Sequence, residues 1–336
     1  MFMTKQFIAL LAGCLLALNA FAADKPLRIG TLAPKNSLYH RQLMELGEAW
    51  RQSQGEGAKY LVYPDGSQGG ETDMVRRMRI GQLQGGLLSV VGLREIEPSI
   101  AALQNMPLMF RNWEEVDYVR EKMRPAMEKK FLDKGFVVLA WGDAGWVRFF
   151  SREAALWPDD FKKMKFFTWA SELEQQEIMK SLGYTPVPLE TADILPSIQT
   201  GMINAVPSTP YFALATQVYT SAPNMLDLNW APIVGALVVT KKAWDEMSPA
   251  TQAVVRAAGA KAGGQIRTQA RKEVDEAVEA MKKRGLKVNV PDAAQSREWA
   301  ELADKLYPKI RGKMVPAETF DEVQGYLKAF RAGQAK

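Results

Sequence analysis

The sequence predicts an α/β fold built from two domains that share one long helix. Segments with strand patterns alternate with segments with helix patterns, which is typical of a mostly parallel sheet covered by helices on both faces. The 336 residues are enough for two domains of ordinary size. The longest helix pattern, residues 249–283, would extend about 50 Å, which is longer than one small domain is wide.

Residues 27–91 have a βαβαβ order. Strand patterns cover residues 27–32, 59–63 and 87–91. Helix patterns at residues 37–50 and 71–80 separate them, with apolar side chains at helical spacing. This order predicts that the three strands are parallel neighbours in one sheet.

The later strands and the long helix follow. Strand patterns cover residues 136–141, 149–151 and 233–240, and the last is apolar enough for an interior position. Ser248 suits the N-cap of the helix pattern 249–283, because its hydroxyl can accept a hydrogen bond from the first turn. Three glycines weaken the middle of this helix: Gly259, Gly263 and Gly264. We expect a bend there.

The scarce residue types exclude several classes of protein. There is one cysteine, Cys14, and one histidine, His40. These are too few for a zinc site of Cys and His ligands or for a disulfide within the chain. They also disfavour most Ser–His–Asp hydrolases. The net charge is +5 and is spread along the chain, without the basic cluster that nucleic-acid binding requires. We predict no metal, no cofactor and no nucleic-acid partner.

Residues 1–22 have the pattern of a secretory signal peptide. Lys5 precedes an apolar stretch at residues 7–17, and Ala20-Phe21-Ala22 fits the cleavage site. We therefore expect a periplasmic protein. Leu11-Ala12-Gly13-Cys14 also fits a lipoprotein signal, but the residues after Cys14 are mostly apolar, which favours ordinary cleavage.

Aromatic residues are concentrated between Trp141 and Trp169, where nine of the 29 residues are aromatic. Core packing is one explanation. Phe149-Phe150 and Phe166-Phe167 are adjacent pairs, however, and neighbours in a strand point to opposite faces. One member of each pair therefore needs a second apolar environment, which could be the far face of the sheet or a binding cleft.

A set of short motifs in a fixed order resembles the solute-binding proteins of TRAP transporters (DctP-type). The motifs run through essentially the whole mature chain: Tyr63–Glu71, Arg79–Leu83, Met106–Phe110, Pro158–Lys165, Ile198–Gly201 and Lys242–Trp244. The resemblance implies a binding protein and not an enzyme. It implies two lobes joined by a hinge, a long helix across both, a small organic ligand held between the lobes, and delivery to the subunits of a membrane permease.

The resemblance also implies discontinuous lobes. Lobe one would comprise residues 24–145 and 234–273, and lobe two residues 146–233 and 274–336.

The sequence departs from the family at the residues that normally grip a ligand carboxylate. The resemblance implies an arginine where Phe167 stands and a second one where Val147 stands, with Arg148 one residue away. Its usual asparagine falls at Ser208. A buried carboxylate without a partner costs several kcal/mol, so we expect a ligand that is more apolar than a simple dicarboxylate.

We expect ligand contacts from eight residues: Glu71, Ser89, Trp146, Arg148, Phe167, Trp169, Ser208 and Trp230. A single arginine among aromatic residues can also form a structural ion pair, so Arg148 has two interpretations. Two other functions stay open. The same fold could serve a different envelope transport system, or it could carry an enzyme that uses Glu71 and Asp143 for acid–base chemistry.

Overall fold

Two separate β-sheets form the frame of the protein in a computed structural model, which describes residues 26–55 and 57–334. The expected signal peptide and Cys14 lie outside the described residues. The strands are β1 (Leu27–Thr31), β2 (Tyr60–Tyr63), β3 (Gly85–Ser89), β4 (Phe136–Trp146), β5 (Arg148–Ser151), β6 (Lys165–Trp169), β7 (Thr185–Leu189), β8 (Ala205–Ser208), β9 (Asn224–Leu226), β10 (Pro232–Thr240) and β11 (Lys287–Asn289).

Helices cover both sheets. The α-helices are α1 (Leu38–Gln54), α2 (Glu71–Arg79), α3 (Val90–Leu93), α4 (Trp113–Asp133), α5 (Pro158–Lys162), α6 (Leu173–Ser181), α7 (Thr191–Thr200), α8 (Pro210–Ala215), α9 (Lys241–Asp245), α10 (Pro249–Lys282), α11 (Ala293–Ile310) and α12 (Ala317–Gln334). Short 3₁₀ helices lie at Pro98–Leu103 and Val218–Thr220. No helix among the described residues is both long enough and apolar enough to cross a membrane.

The strand order separates two lobes. The first sheet has the order β2-β1-β3-β10-β4, and the second has the order β11-β9-β5-β8-β6-β7. We call the first sheet with the helices packed on it lobe one, and the second sheet with its helices lobe two. The α/β fold with two lobes is the one that the sequence predicts.

Each sheet contains one strand that runs against the others. β10 is antiparallel to β3 and β4, and β5 is antiparallel to β8 and β9, whereas the other strand pairs are parallel. β5 and β10 are also the strands with which the chain enters the other lobe. The crossing segments lie side by side: the Val147 amide donates to the Ala231 carbonyl at 2.8 Å, and the Trp230 amide donates to the Val147 carbonyl at 3.0 Å. This pair of segments forms the connection expected of a hinge.

Helix N-caps follow the sequence pattern. Ser37 accepts a hydrogen bond from the His40 amide at 3.2 Å, and Ser248 accepts one from the Thr251 amide at 3.1 Å. The third strand ends earlier than residue 91, because the hydroxyl of Ser89 accepts from the Val91 amide at 3.2 Å and begins α3.

The long helix spans both lobes, as the sequence predicts. α10 has 34 residues and begins at Pro249. Val255 near its start is buried in a hydrophobic cluster of lobe one, and Met281 near its end is buried in a cluster of lobe two. The same helix therefore contributes to two cores.

Two glycines of α10 have a packing role, and α10 is continuous as a helix over its whole length. An added Cβ at Gly259 would lie 2.8 Å from the Leu139 carbonyl oxygen, and one at Gly263 would lie 2.7 Å from that of Trp141. Both oxygens belong to β4. These two glycines let the helix backbone approach the sheet closely.

The adjacent phenylalanine pairs lie on opposite faces of the second sheet, as strand alternation requires. Phe149 and Phe166 pack in a cluster with Trp299 of α11, whereas Phe150 and Phe167 pack in a cluster on the other face. The two faces of the sheet therefore give each member of a pair its own apolar environment.

The C-terminal helix packs on lobe one. Phe320 and Leu327 of α12 are buried in the same cluster as Phe131 of α4, and the Arg331 guanidinium forms an ion pair with Glu115 of α4 at 2.7 Å. The sequence-based boundaries place these C-terminal residues in lobe two. The difference has a physical reason, because the apolar face of α12 is buried against α4 and not against the second sheet.

We expect opposite effects from two alanine substitutions one residue apart in α10. Gly264→Ala should stabilise the protein by about 0.5–1 kcal/mol, because an added Cβ there meets open space and alanine favours the helix. Gly263→Ala should destabilise it by about 1–3 kcal/mol, because the new Cβ would overlap the Trp141 carbonyl oxygen. Urea unfolding of both variants measures the difference, and equal stabilisation by the two would contradict the close approach.

Candidate functional site

A cavity of about 360 Å³ lies between the two sheets, where the carboxyl ends of the parallel strands of both lobes meet. Its wall includes Thr31 at the end of β1, Ser89 at the end of β3, Trp169 at the end of β6 and Ser208 at the end of β8. Open α/β sheets bind ligands at this edge, and the volume is in the range of small-molecule sites. The cavity is the candidate binding site.

Six of the eight residues expected at the ligand line this cavity, and two do not. The six are Glu71, Ser89, Phe167, Trp169, Ser208 and Trp230. The two that lie elsewhere are Trp146 and Arg148, whereas Val147 between them is part of the cavity wall. Since side chains alternate in an extended chain, the two neighbours of Val147 point away from the cavity.

Trp146 and Arg148 have structural partners. The Trp146 side chain is buried and packs against Trp113, with ring centroids 5.1 Å apart. An Arg148 guanidinium nitrogen lies 2.6 Å from a carboxylate oxygen of Asp227. Trp146 and Arg148 therefore lie outside the cavity wall, and Arg148 has an ion-pair partner of the kind that its position also allowed.

The positions that would form a carboxylate grip carry no charge. Phe167 is buried, and its ring packs edge-on against Trp169 with centroids 4.9 Å apart. Val147 contributes a methyl surface, and Ser208 contributes a hydroxyl. Within residues 26–55 and 57–334, no lysine, arginine or histidine lines the cavity.

Three acidic side chains line the cavity, and each has partners within the protein: Glu71, Asp143 and Glu172. Glu71 is the first residue of α2 and is buried. Its carboxylate accepts hydrogen bonds from the Ser89 amide at 2.8 Å, the Ser89 hydroxyl at 2.7 Å and the Gly92 amide at 2.8 Å. Burial raises the pKa of Glu71, and the three hydrogen bonds act in the opposite direction.

Asp143 is paired with two arginines. One carboxylate oxygen accepts from Arg120 of α4 at 2.7 Å, and the other accepts from Arg271 of α10 at 2.6 Å. Arg271 also stacks over Trp113, with its guanidinium carbon 4.5 Å from the ring centroid. The network joins α4, β4 and α10 behind the cavity wall and neutralises the Asp143 charge.

Glu172 connects the two lobes. It follows β6 in lobe two, and its carboxylate oxygens accept from Arg94, which follows α3 in lobe one, at 3.0 and 3.1 Å. A second nitrogen of Arg94 donates to Glu174 at 2.9 Å. Burial raises the pKa of Glu172, and the Arg94 charge lowers it. Both members of the Arg94–Glu172 pair are largely buried.

Two residues of the cavity wall each have a buried polar atom without a partner among the described residues. The Gln104 side-chain oxygen and the Thr168 hydroxyl are both buried and both residues line the cavity. Unpaired buried polar atoms are costly, so these two are candidates for hydrogen bonds to a ligand. The sequence analysis missed both residues, because no motif marks a polar group that lacks an internal partner.

Part of the cavity wall is apolar, and we call the part formed by six of the lining residues the apolar arm: Phe149, Phe161, Phe166, Trp299, Leu302 and Met314. The last three come from the C-terminal region and were not expected at the site. Within the described part of the chain there is no group of three or more His, Cys, Asp or Glu side chains placed to hold a metal ion.

Comparison with known proteins gives one family. The family described as bacterial extracellular solute-binding protein, family 7 (DctP), matches residues 29–313. One relative of this chain is the C4-dicarboxylate-binding periplasmic protein DctP of Rhodobacter capsulatus, which is 21% identical to it over 265 residues. The alignment covers 78% of this chain and 79% of the relative.

Solved structures show the same fold. A TRAP periplasmic solute-binding protein from Ralstonia eutropha with bound (S)-2-acetolactate superposes with a TM-score of 0.83 at 18% identity, over 90% of this chain and 99% of that one. One from Shewanella oneidensis with bound succinate has a TM-score of 0.82 at 15% identity, over 91% of this chain and 100% of that one.

We expect Arg94→Gln to weaken the contact between the lobes. The substitution leaves the buried Glu172 carboxylate without its cation. Removing one partner of a buried ion pair typically lowers the free energy of unfolding by about 3–5 kcal/mol. Small-angle scattering should therefore show a larger radius of gyration for the variant than for the wild type.

The matched control is Arg124→Gln, whose ion pairs to Glu121 and Glu128 lie on the exposed surface of α4. It should leave the radius unchanged. An unchanged radius for Arg94→Gln as well would show that the pair does not hold the lobes together.

Proposed function

This chain belongs to the DctP family of bacterial extracellular solute-binding proteins, and we propose that it captures a small organic solute between its two lobes and delivers it to the membrane permease of a TRAP-type transporter. The cavity between the lobes supports solute capture, because it is formed by strand ends of both sheets. The neighbouring structures that are named as TRAP periplasmic solute-binding proteins support the type of transporter.

We propose that the solute is more apolar than a simple dicarboxylate. The observation that carries this is the absence of any lysine, arginine or histidine from the cavity wall in the described part of the chain. A small dicarboxylate would bring two negative charges to a wall that already contains three carboxylates. Leaving a buried charge unpaired costs several kcal/mol, whereas each large apolar side chain or ligand group buried there contributes about 1.5–3 kcal/mol.

The lobes are proposed to move about the paired segments at Val147 and Trp230–Ala231. We propose that lobe one comprises residues 26–145 and 234–273, with the addition of residues 317–334, and that lobe two comprises residues 146–233 and 274–316. The packing of α12 on α4 supports the changed C-terminal boundary. α11 contacts both lobes, since Trp299 packs on the second sheet and Ile310 belongs to the lobe-one cluster.

We also propose that the cleft binds its solute without chemical change. The two carboxylates that could serve as acid or base, Glu71 and Asp143, are used internally by Ser89 and Gly92 and by two arginines. A general base needs a free lone pair within reach of the substrate. The family membership supports a binding role in the same way.

The place of action is proposed to be the periplasm, after removal of residues 1–22 by signal peptidase. The Ala20-Phe21-Ala22 site and the family described as extracellular support this localisation.

A thermal-shift experiment tests the class of solute. Succinate should leave the melting temperature of the wild type unchanged, whereas small uncharged solutes with an apolar part should raise it, because only the latter match the wall of the cavity. Phe167→Arg should gain stabilisation by succinate, because it introduces a cation into the cavity wall. Phe167→Met is the control, since it removes the ring without adding a charge.

One result would reverse the assignment. Strong stabilisation of the wild type by succinate, lost in Arg148→Ala, would show that the solute is an acid and that Arg148 grips it. A screen in which no organic solute stabilises the wild type would contradict solute capture itself.

A further inference from the structure

We propose that the natural ligand is an uncharged amphipathic molecule, with a hydrogen-bonding head in the cleft and a hydrocarbon or aromatic tail in the apolar arm. The proposal rests on the proposed function, because it names the class of solute that the same cavity takes. Three observations support it: the composition of the arm, the position of the unpaired polar atoms and the pairing of every acid in the cavity.

Closely packed rings form one wall of the arm. Phe149 of β5 stacks on Trp299 of α11, with ring centroids 5.3 Å apart and planes at 17°. Phe161 of α5 contacts Phe149 at 5.3 Å and Phe166 of β6 at 5.7 Å. Because each ring is held by the others, the wall has a defined shape and presents aromatic surface to a ligand.

The polar atoms of the arm are already used. The Trp299 indole nitrogen donates to the Leu156 carbonyl at 2.9 Å. The hydroxyl of Tyr184, which also lines the cavity, donates to the Pro158 carbonyl at 3.3 Å. A polar ligand group in the arm would lose its hydrogen bonds to water and find no replacement, so the arm selects apolar groups.

The unpaired polar atoms lie on other parts of the cavity wall. Gln104 follows a 3₁₀ helix of lobe one, and its side-chain oxygen can only accept a hydrogen bond. Thr168 lies on β6 of lobe two, and its hydroxyl can donate or accept. An N–H or O–H donor of a ligand head, such as an amide or an alcohol, could pair with the Gln104 oxygen, and either a donor or an acceptor could pair with the Thr168 hydroxyl.

The pairing of the acids argues against a charged head of either sign. Asp143 has two arginine partners, Glu172 has Arg94, and Glu71 accepts three hydrogen bonds. An ammonium head would find no unpaired carboxylate, and a carboxylate head would find no cation on the wall. An uncharged head avoids the desolvation cost that both ions would carry.

A matched set of ligands tests the head group. Hexanoate, hexanamide and hexylamine share a chain and differ in charge, and calorimetric titration of the purified mature protein gives the dissociation constant of each. We expect hexanamide to bind about tenfold or more tightly than either ion. Tighter binding of hexanoate or hexylamine would overturn the uncharged head.

A chain-length series tests the tail. From propanamide to octanamide, each added CH₂ that enters the arm should lower the dissociation constant about fourfold. Leu302→Trp, which narrows the arm, should abolish this dependence for the longer amides and weaken octanamide much more than propanamide. Leu302→Ala should extend the dependence to longer chains.

Controls separate a specific effect from a folding defect. Leu132→Trp adds the same ring at an exposed position on α4 and should keep the chain-length dependence. If Leu302→Trp does not fold, Met314→Phe replaces another residue of the arm and should also weaken octanamide more than propanamide.

The outcomes distinguish this inference from the proposed function. Binding of the amides without chain-length dependence, unchanged by Leu302→Trp or by Met314→Phe, overturns the tail in the arm and leaves solute capture intact. If no amide binds while other organic solutes stabilise the protein, the amphipathic ligand is wrong and solute capture stands. If no solute binds at all, both fail.

Discussion

Side chains alternate along an extended chain, and this alternation at the crossing between the lobes sets the chemistry of the cleft. Trp146, Val147 and Arg148 follow one another where β4 gives way to β5. Only Val147 lines the cavity, because its amide and carbonyl pair with the crossing segment at Trp230 and Ala231 and thereby fix its direction. The tryptophan is buried in lobe one, and the arginine pairs with Asp227. The arginine closest to the expected grip therefore lies outside the cavity wall and has a partner within the protein.

Because of the same constraint, the charges around the cleft are balanced by partners within the protein. With no cation on the wall among the described residues, each acid there needs partners from within the fold. Arg120 and Arg271 approach Asp143 from two helices, Arg94 reaches Glu172 from the other lobe, and Ser89 and Gly92 at the start of α3 donate to Glu71. These contacts hold the helices and the two lobes in place. The polar positions of the cavity wall that remain available to a ligand are uncharged side chains.

The sequence predicted those features that depend on local chemistry. Serine caps, apolar periodicity and the length of α10 are properties of short segments, and the phenylalanine pairs follow from alternation within one strand. Features that depend on distant neighbours were missed. Gly259 and Gly263 of α10 fit closely against β4, which precedes them by more than a hundred residues. Trp299 reaches the cavity only because α11 returns to the second sheet. The placement of α12 likewise depends on a face of α4 that no local pattern reveals.

The position of α11 couples the shape of the arm to the angle between the lobes. Trp299 near its start is fixed to the rings of lobe two, and Ile310 at its end is fixed in the core of lobe one. In the proposed mechanism, rotation about the hinge displaces part of the arm's wall as well as the mouth of the cleft. Tail and head of the proposed solute would loosen in the same movement, so that a single opening of the lobes is sufficient to release a molecule bound at both of its ends.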